Sequence, residues 1–544
     1  AHEADLFRTL RISERLLIDE PQLQSILRVM SQLAPASLGI ELLSALLKEP
    51  RPSALTDALS LATKLRILSR EHGPVAARRY RMHRLIWAVL QEEQPTGDAE
   101  ARALGQRLCD WLMALRDDPA KLSQYEAEVP HLAAWTTTCQ QHHWDEDHVR
   151  SLWLQAYPLF HRGQYRESEQ VVTAACRQYD ELGVNNEALL AHLQNDLATL
   201  NSKQGRYADA LKYAEKALAI RQRVFGEEHC DTATSLDNVG VSHGEQGNHA
   251  KALEYVEKAL AIRRRVLGEE HPDTVSSWNN VGSTYGEQGD HGKALEYKEK
   301  ALAIRRRVLG EEHPDTASSW NNVGVTYAEQ GNHAKALEYV EKALAILRRV
   351  LGEEHPDTAN SWNNVGGTYG EQGDHDKALE YAEKALAIRR RVLGEEHPET
   401  ASSWHNVGGT YGKQGDHDKA LEYKEKALAI RRRVLGEEHP DTASSWNNVG
   451  FTYGKQGKQA KALECQEKAY SILSRTLGSE HPTTVQATLA YAQTLCQQNR
   501  ALKARDVLER ALARVSAQSS AHKALRQAFK AISVPGFRNT KRKK

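Results

Sequence analysis

What the chain lacks narrows its reading first. It has no net charge, with 72 Lys and Arg against 72 Asp and Glu, so no overall field draws it to nucleic acid or to an anionic membrane surface. Nucleic acid is not an expected partner, and partner choice must rest on local surface. The six cysteines, Cys109, Cys139, Cys176, Cys230, Cys465 and Cys496, form no CxxC pair and no regular spacing. That argues against a disulfide framework or a zinc module and for reduced thiols. No run of eighteen apolar residues occurs, and the N-terminus lacks the basic-then-apolar layout of a secretory signal. A cytoplasmic protein with no membrane partner is expected. Also missing is any G-x-x-x-x-G-K-[ST] phosphate loop, which excludes P-loop nucleotide binding by these residues. No catalytic constellation is present either, so the chain is expected to be no enzyme and to hold no cofactor or metal of its own.

What is there is a repeat. A chain of 544 residues is too long for one ordinary core, and Trp278, Trp320, Trp362, Trp404 and Trp446 recur every 42 residues. One unit runs from Asp315 to Pro356, and near copies extend from Asp231 to Pro482. Ala317, Trp320, Val323, Gly324 and Tyr327 fall at helical spacing, as do Ala336, Leu337, Tyr339, Ala343, Leu344, Ile346, Val350 and Leu351. Each unit is therefore two amphipathic helices. Gly331 stands where a left-handed residue closes the first helix and Asn332 can cap the second; Gly352 ends the second, and Pro356-Asp357 opens the next unit. Weaker units occupy 187–228, roughly 148–183, and 483–515, followed by one capping helix at 519–533. The tail, Asn539 to Lys544, ends KRKK and reads as a solvated end.

The W-x-x-V-G-x-x-Y…A…A pattern resembles the tetratricopeptide repeat (TPR), and the extended loop LGEEHPDTA resembles the repeats of kinesin light chain. The resemblance implies an all-α, right-handed superhelical solenoid. It leaves one position unsettled. The late apolar site of the second helix holds Val256 and Val340 in some units but Lys298, Lys424 and Gln466 in others, and Tyr339 and its equivalents are expected to take over that packing.

Residues 1–147 lack the period. Two short apolar helices within Leu27 to Leu47, a third from Asp57 to Leu65, then a strand, a turn at Gly73-Pro74, a second strand and a helix from about His83 suggest a winged helix. The segment resembles the winged-helix domain that follows the nucleotide-binding core of NB-ARC-type STAND ATPases, and its most specific part is Tyr80-Arg81-Met82-His83-Arg84-Leu85. By that resemblance His83 would touch the phosphate of bound ADP in a longer parent protein, although Arg84 stands where the family has Asp. A domain layout follows: winged-helix-like 1–94, helical linker 95–147, a solenoid of about nine repeats over 148–515, and a capping helix with basic tail over 516–544. Because the chain starts at Ala1 with a helical-looking segment under way, it is expected to be part of something longer, whose upstream nucleotide-binding domain would use ADP or ATP and whose activation would involve oligomerisation.

Other motifs reduce to structure. Histidines recur once per repeat, at His271, His313, His355, His397 and His439 in the loop and at His291, His333, His375 and His417 at the helix turn; ligands so far apart do not make a metal site. Gly366-Gly367 falls within a helix and reads as packing glycine, and the Arg-Arg-Arg and Glu-Glu runs of the second helices read as solvated faces with internal ion pairs.

The candidate binding residues are an asparagine column, Asn238, Asn280, Asn322, Asn364, Asn406 and Asn448, which in TPR proteins faces the concave groove. An amide both donates and accepts, so such a ladder suits the main chain of an extended peptide; it could instead tie neighbouring repeats together. Three residues on, Val241, Ser283, Val325, Gly367, Gly409 and Phe451 vary while most of the unit does not, and this column is expected to supply specificity. Two function classes remain open. One is the ligand-sensing arm of a STAND switch, acting in signal transduction or defence. The other is a stand-alone cargo or scaffold adaptor of the kinesin light chain kind.

Overall fold

The computed structural model describes residues 21–31, 33, 36–48, 55–64, 68–70, 79–82, 98–116, 121–517 and 519–532. The chain falls into two compact units, residues 1–193 and 194–544.

The first unit opens with α1 (Pro21–Ser31), β1 (Leu38–Gly39), α2 (Ile40–Leu47), α3 (Thr56–Lys64), β2 (Leu68–Arg70) and β3 (Arg79–Met82). The strands form an antiparallel sheet in the order β1-β3-β2, with Leu38 opposite Tyr80 and Leu68 opposite Met82. Leu23, Ile26, Leu42, Leu46, Leu59 and Tyr80 are buried, because the apolar stripe of each helix leaves water against the other helices and the sheet. The described elements of this segment thus run helix, strand, helix, helix, strand, strand. The turn at Gly73-Pro74, the helix from His83, and His83 itself lie outside the described residues, as does the KRKK tail.

Two long helices follow, α4 (Asp98–Leu115) and α5 (Leu122–Gln141). Gly105 in α4 lies flat against the Trp135 ring, where any Cβ would collide. The unit goes on through α6 (Asp145–Leu154), α7 (Ala156–His161) and α8 (Tyr165–Glu181).

From there hairpins of helices repeat. First helices are α9 (Glu187–Lys203), which spans the division between the units, then α11 (Cys230–Glu245), α13 (Pro272–Glu287), α15 (Pro314–Glu329), α17 (Pro356–Gln372), α19 (Pro398–Gln414), α21 (Pro440–Lys455) and α23 (Pro482–Gln497). Second helices are α10 (Tyr207–Phe225), α12 (His249–Leu267), α14 (His291–Leu309), α16 (His333–Val350), α18 (His375–Val392), α20 (His417–Val434), α22 (Gln459–Thr476) and α24 (Ala501–Leu512); α25 (Ser520–Ala531) caps the end. No described helix is long and apolar enough to cross a membrane.

The punctuation explains why each helix stops. Gly331 has φ +78° and Asn332 Oδ1 accepts from the Lys335 amide. Gly268 sits at φ 87°, ψ 169°, a region open essentially to glycine alone. The loop histidines have a structural task that their spacing did not announce. Each caps the first helix that follows, with Nδ1 accepting the amide two residues on, as His313 does from Asp315 at 3.1 Å and His439 from Asp441 at 3.0 Å. Most turn histidines pair across the repeat boundary instead, His249 with Glu287 at 3.3 Å and His291 with Glu329 at 3.4 Å.

Close approach within a hairpin comes from Gly324, where a Cβ would stand 2.7 Å from Val340 Cγ1 and 3.1 Å from the Ala336 carbonyl oxygen. Gly366 does the same against Ala378 and Tyr381, but Gly367 has nothing within 4 Å. Only the first of that pair is a packing glycine.

Two expectations are corrected. Lys298 and Lys424 are buried in place, 7% and 9% exposed, and so is Gln466. The position therefore stays inside, and Tyr339 does not take it over; Tyr339 is half-buried and packs at a tilt against Trp320 and Tyr327, ring centres 4.8 and 5.4 Å apart. The Arg-Arg-Arg runs are also not one solvated face. In most units the first arginine is sequestered between repeats: Arg389 is 6% exposed and donates to the Glu399 carbonyl at 3.0 Å and to Ser403 Oγ at 2.9 Å, while Arg263 pairs with buried Asp237. The second arginine, as Arg306, covers the Trp320 face at 5.2 Å and binds Glu311 at 2.6 Å. The third reaches back a repeat, as Arg307 does to Glu270 at 2.7 Å. Three adjacent residues on a helix point in three directions, and each direction meets a different neighbour.

Candidate functional site

Curvature decides which surface can hold a partner. Within the second unit, successive first helices touch one another from α11 through α19, as do α21 and α23, whereas among the described residues no comparable contact joins successive second helices. The first helices are thus the inner, concave layer.

On that layer the asparagine column forms a ladder of half-buried and exposed amides. Asn322 and Asn406 are exposed, and Asn238, Asn280, Asn364 and Asn448 are half-buried. Asn238 Nδ2 donates to Asn195 Oδ1 at 2.8 Å, so the ladder begins one repeat earlier than the sequence column. Asn195 escaped that column because it stands 43 residues before Asn238 rather than 42. The ladder ends after Asn448, where the next repeat has Ala490.

The variable column lies beside it. Val241 is 49% and Phe451 57% exposed, Ser283 and Gly367 are exposed, and Val325 and Gly409 are half-buried. An aromatic ring left largely in water on a concave wall is available for a partner. Lys455 Nζ lies 5.3 Å from the Phe451 ring centre, close enough for a cation–π contact.

The column immediately before the ladder faces the neighbouring repeat. Asn321 Oδ1 accepts from Ser361 Oγ at 3.1 Å, and Asn363 Nδ2 donates to Ser403 Oγ at 3.3 Å. This column, like the Asn238–Asn195 pair of the ladder, ties neighbouring repeats together. His405 occupies it in one repeat, and burial together with nearby Arg431 and Lys424 pushes its pKa down to about 4. Burial likewise pushes the Asp237 carboxyl up, against the opposing pull of Arg263, and pushes the Lys298 and Lys424 ammonium groups down. These buried charges serve cohesion, since each reaches a partner within the wall: Lys298 Nζ lies 2.9 Å from Thr326 Oγ1 and Lys424 Nζ 3.0 Å from Thr452 Oγ1. Among the described residues no group of three or more His, Cys, Asp or Glu side chains comes together to hold a metal ion.

The model of the tetratricopeptide repeat family matches the chain in overlapping pairs of repeats from residues 150–223 through 441–517. The chain is a tetratricopeptide repeat protein. TPR arrays of this kind form protein-binding scaffolds, and the wall just described is this array's inner surface. Among solved structures, nearly identical TPR-like repeats of a kinesin light chain homologue from Podosopora anserina share 28% identity over 38% of this chain and 97% of that one, with a TM-score of 0.33. BtubC (BKLC) from P. vanneervenii shares 25% identity over 42% of this chain and 91% of that one, TM-score 0.35. A STAND protein with a TPR sensor from Pyrococcus horikoshii shares 13% identity over 90% of this chain and 62% of that one, TM-score 0.41. No curated protein matches the chain.

Proposed function

We propose that the TPR wall is the ligand-sensing arm of a STAND-type switch, which captures a protein or peptide and passes that event through the winged helix to a nucleotide-binding core elsewhere in the protein. The observation that carries this reading is the join between the wing and α5. Arg79, on β3, binds Glu128 of α5 through Nη1 at 2.6 Å and Nη2 at 3.1 Å, and also donates to the Ala127 carbonyl and to Ser37 Oγ, both at 3.0 Å. Glu128 is 1% exposed, and its Oε1 also accepts from the Gly39 amide on β1. Burial pushes this carboxyl up while Arg79 opposes it; removing either partner would strand a buried charge, which costs about 3–5 kcal/mol. Such a join transmits displacement, because the sheet and the helix cannot separate without exposing that cost. His83 follows β3 directly in sequence, so the residue proposed to hold ADP is one step from the strand that carries Arg79.

The test uses the longer protein with its nucleotide core. Release of a fluorescent ADP analogue should quicken when His83 is changed to Ala, and Arg79→Ala should abolish the response of ADP release to ligand while ligand still binds. Unchanged ADP release in both variants would refute the switch. A second reading, a free-standing adaptor of the kinesin light chain kind, is favoured by the LGEEHPDTA loops; it predicts a parent protein without a P-loop.

A further inference from the structure

The inner wall closes on itself. His439 Nε2 lies 2.9 Å from the Lys203 carbonyl oxygen and His481 Nε2 lies 3.1 Å from the Glu245 carbonyl oxygen, both across 236 residues. The same register occurring twice means that the C-terminal ends of α9 and α11 meet the N-terminal ends of α21 and α23 after one superhelical turn, roughly 5.6 of the 42-residue repeats. Chemistry fixes each histidine in this contact. Nδ1 already accepts from the amide of Asp441 or Thr483, so the proton belongs on Nε2, where it is donated to the carbonyl across the turn. Gly205 makes room for it: a Cβ there would strike the Pro440 ring.

A ring this short has a narrow middle. Touching helices pack about 10 Å apart and are about 10–12 Å thick, and the first helices touch from α11 through α19, so a turn of fewer than six leaves a passage on the order of 10 Å wide. A single extended segment fits, about 5 Å across its backbone and about 10 Å across its side chains; a folded domain does not. The rim of the passage changes sign along its length. Four residues on from the variable column, and so on its helical face, Glu287, Glu329 and Glu371 stay about half-exposed although each also meets a turn histidine, and Lys413 and Lys455 continue the column.

We propose that the closed turn makes the groove a passage for one extended polypeptide segment, basic where it passes the repeats of Glu287 to Glu371 and acidic, with an apolar residue against Phe451, where it passes Lys413 and Lys455. This rests on the binding-groove reading and names its ligand class. Folded partners are excluded for as long as the His439 and His481 contacts hold.

The test needs no ligand, so closure can fail while the sensor reading stands, and the converse. Single substitutions Ser283→Cys and Phe451→Cys report on the passage and Val308→Cys on the outer face, in a chain whose native cysteines are replaced and whose helicity is confirmed by circular dichroism. A bulky polyethylene glycol maleimide should modify the outer thiol at position 308 and leave the two inner thiols unmodified over the same time. Gly205→Asn, which tolerates the left-handed backbone but collides with Pro440, should admit the reagent; Gly289→Asn, where nothing stands within 4 Å of the added Cβ, should not. Bulky labelling at position 451 as fast as at position 308 in the unopened chain overturns the closure. Of two small methanethiosulfonates of equal size, the cationic one should react faster with the thiol at position 283 and the anionic one with that at position 451, each by roughly threefold or more. Equal rates overturn the polarity of the ligand.

Discussion

Lys298 of one repeat donates its Nζ to Thr326 Oγ1 of the next at 2.9 Å, at a position where Val256 and Val340 do the same packing without a charge. Buried lysines of this kind are seldom the most stable choice, because desolvation of the ammonium exceeds the return from one hydroxyl. Lys298→Val should therefore be neutral or should stabilise by about 1 kcal/mol, and Lys298→Ala should destabilise by about 2 kcal/mol or more through the lost stem. The midpoint of urea unfolding for the two variants decides it; equal losses would show that the charge itself is needed.

Arg389 invites a comparison of the same kind. Its column holds Leu347 in the repeat before, buried at 1%, so the site accepts an aliphatic side chain. Arg389→Leu should cost less than Arg389→Ala, the latter by about 2–4 kcal/mol because it leaves a cavity and frees the Glu399 carbonyl and Ser403 hydroxyl. Thermal melts of both variants would settle the order, and a milder loss from Ala than from Leu would contradict it.

Acid should loosen the fold at defined histidines. His131 and His405 are both pushed down to about 4, chiefly by burial, and burial also pushes His439 and His481 down. A folded pKa below the unfolded value of about 6.5 means that folding favours the neutral ring; this stability is complete above about pH 6.5 and is lost as pH falls towards about 4. His405→Asn, which installs the residue found at Asn279, Asn321, Asn363 and Asn447, should lessen the drop in stability between about pH 7 and pH 5. A variant as acid-sensitive as the parent would show that folding does not lower the pKa of His405.

The purified chain should release no phosphate from ATP, since its sequence holds no P-loop. Release above background that a point substitution in this chain abolishes would contradict the reading of the chain as a binding arm.

How much of this was legible follows from physical range. Local rules, such as the Trp column, Gly331 and Asn332, are written at spacings of three to four residues, and the hairpins followed from them. What packs between repeats was not. Arg389 and Arg390 are adjacent in sequence and each meets a glutamate, and only stacking decides that the first is sealed between repeats while the second stays half in water. His313 as an N-cap escaped because histidine is an unusual choice there, and Asn195 because a one-residue change of period hid it. The contact of His439 with Lys203 depends on curvature summed over more than five repeats, which no single unit encodes. For the asparagine ladder the sequence named the column, and the structure places its members on the inner layer.

If a partner binds the inner wall, affinity measured with each wall altered in turn should show it. With the native ligand isolated by pull-down from the source organism and purified, calorimetry should show that Asn322→Ala with Asn364→Ala weakens binding by roughly 1 kcal/mol for each lost hydrogen bond. Phe451→Ala should weaken one ligand far more than another. Val266→Ser with Val308→Ser, on exposed outer-layer residues, should leave affinity unchanged. Loss of binding from the outer pair, with affinity intact in the inner variants, would contradict binding at the inner wall.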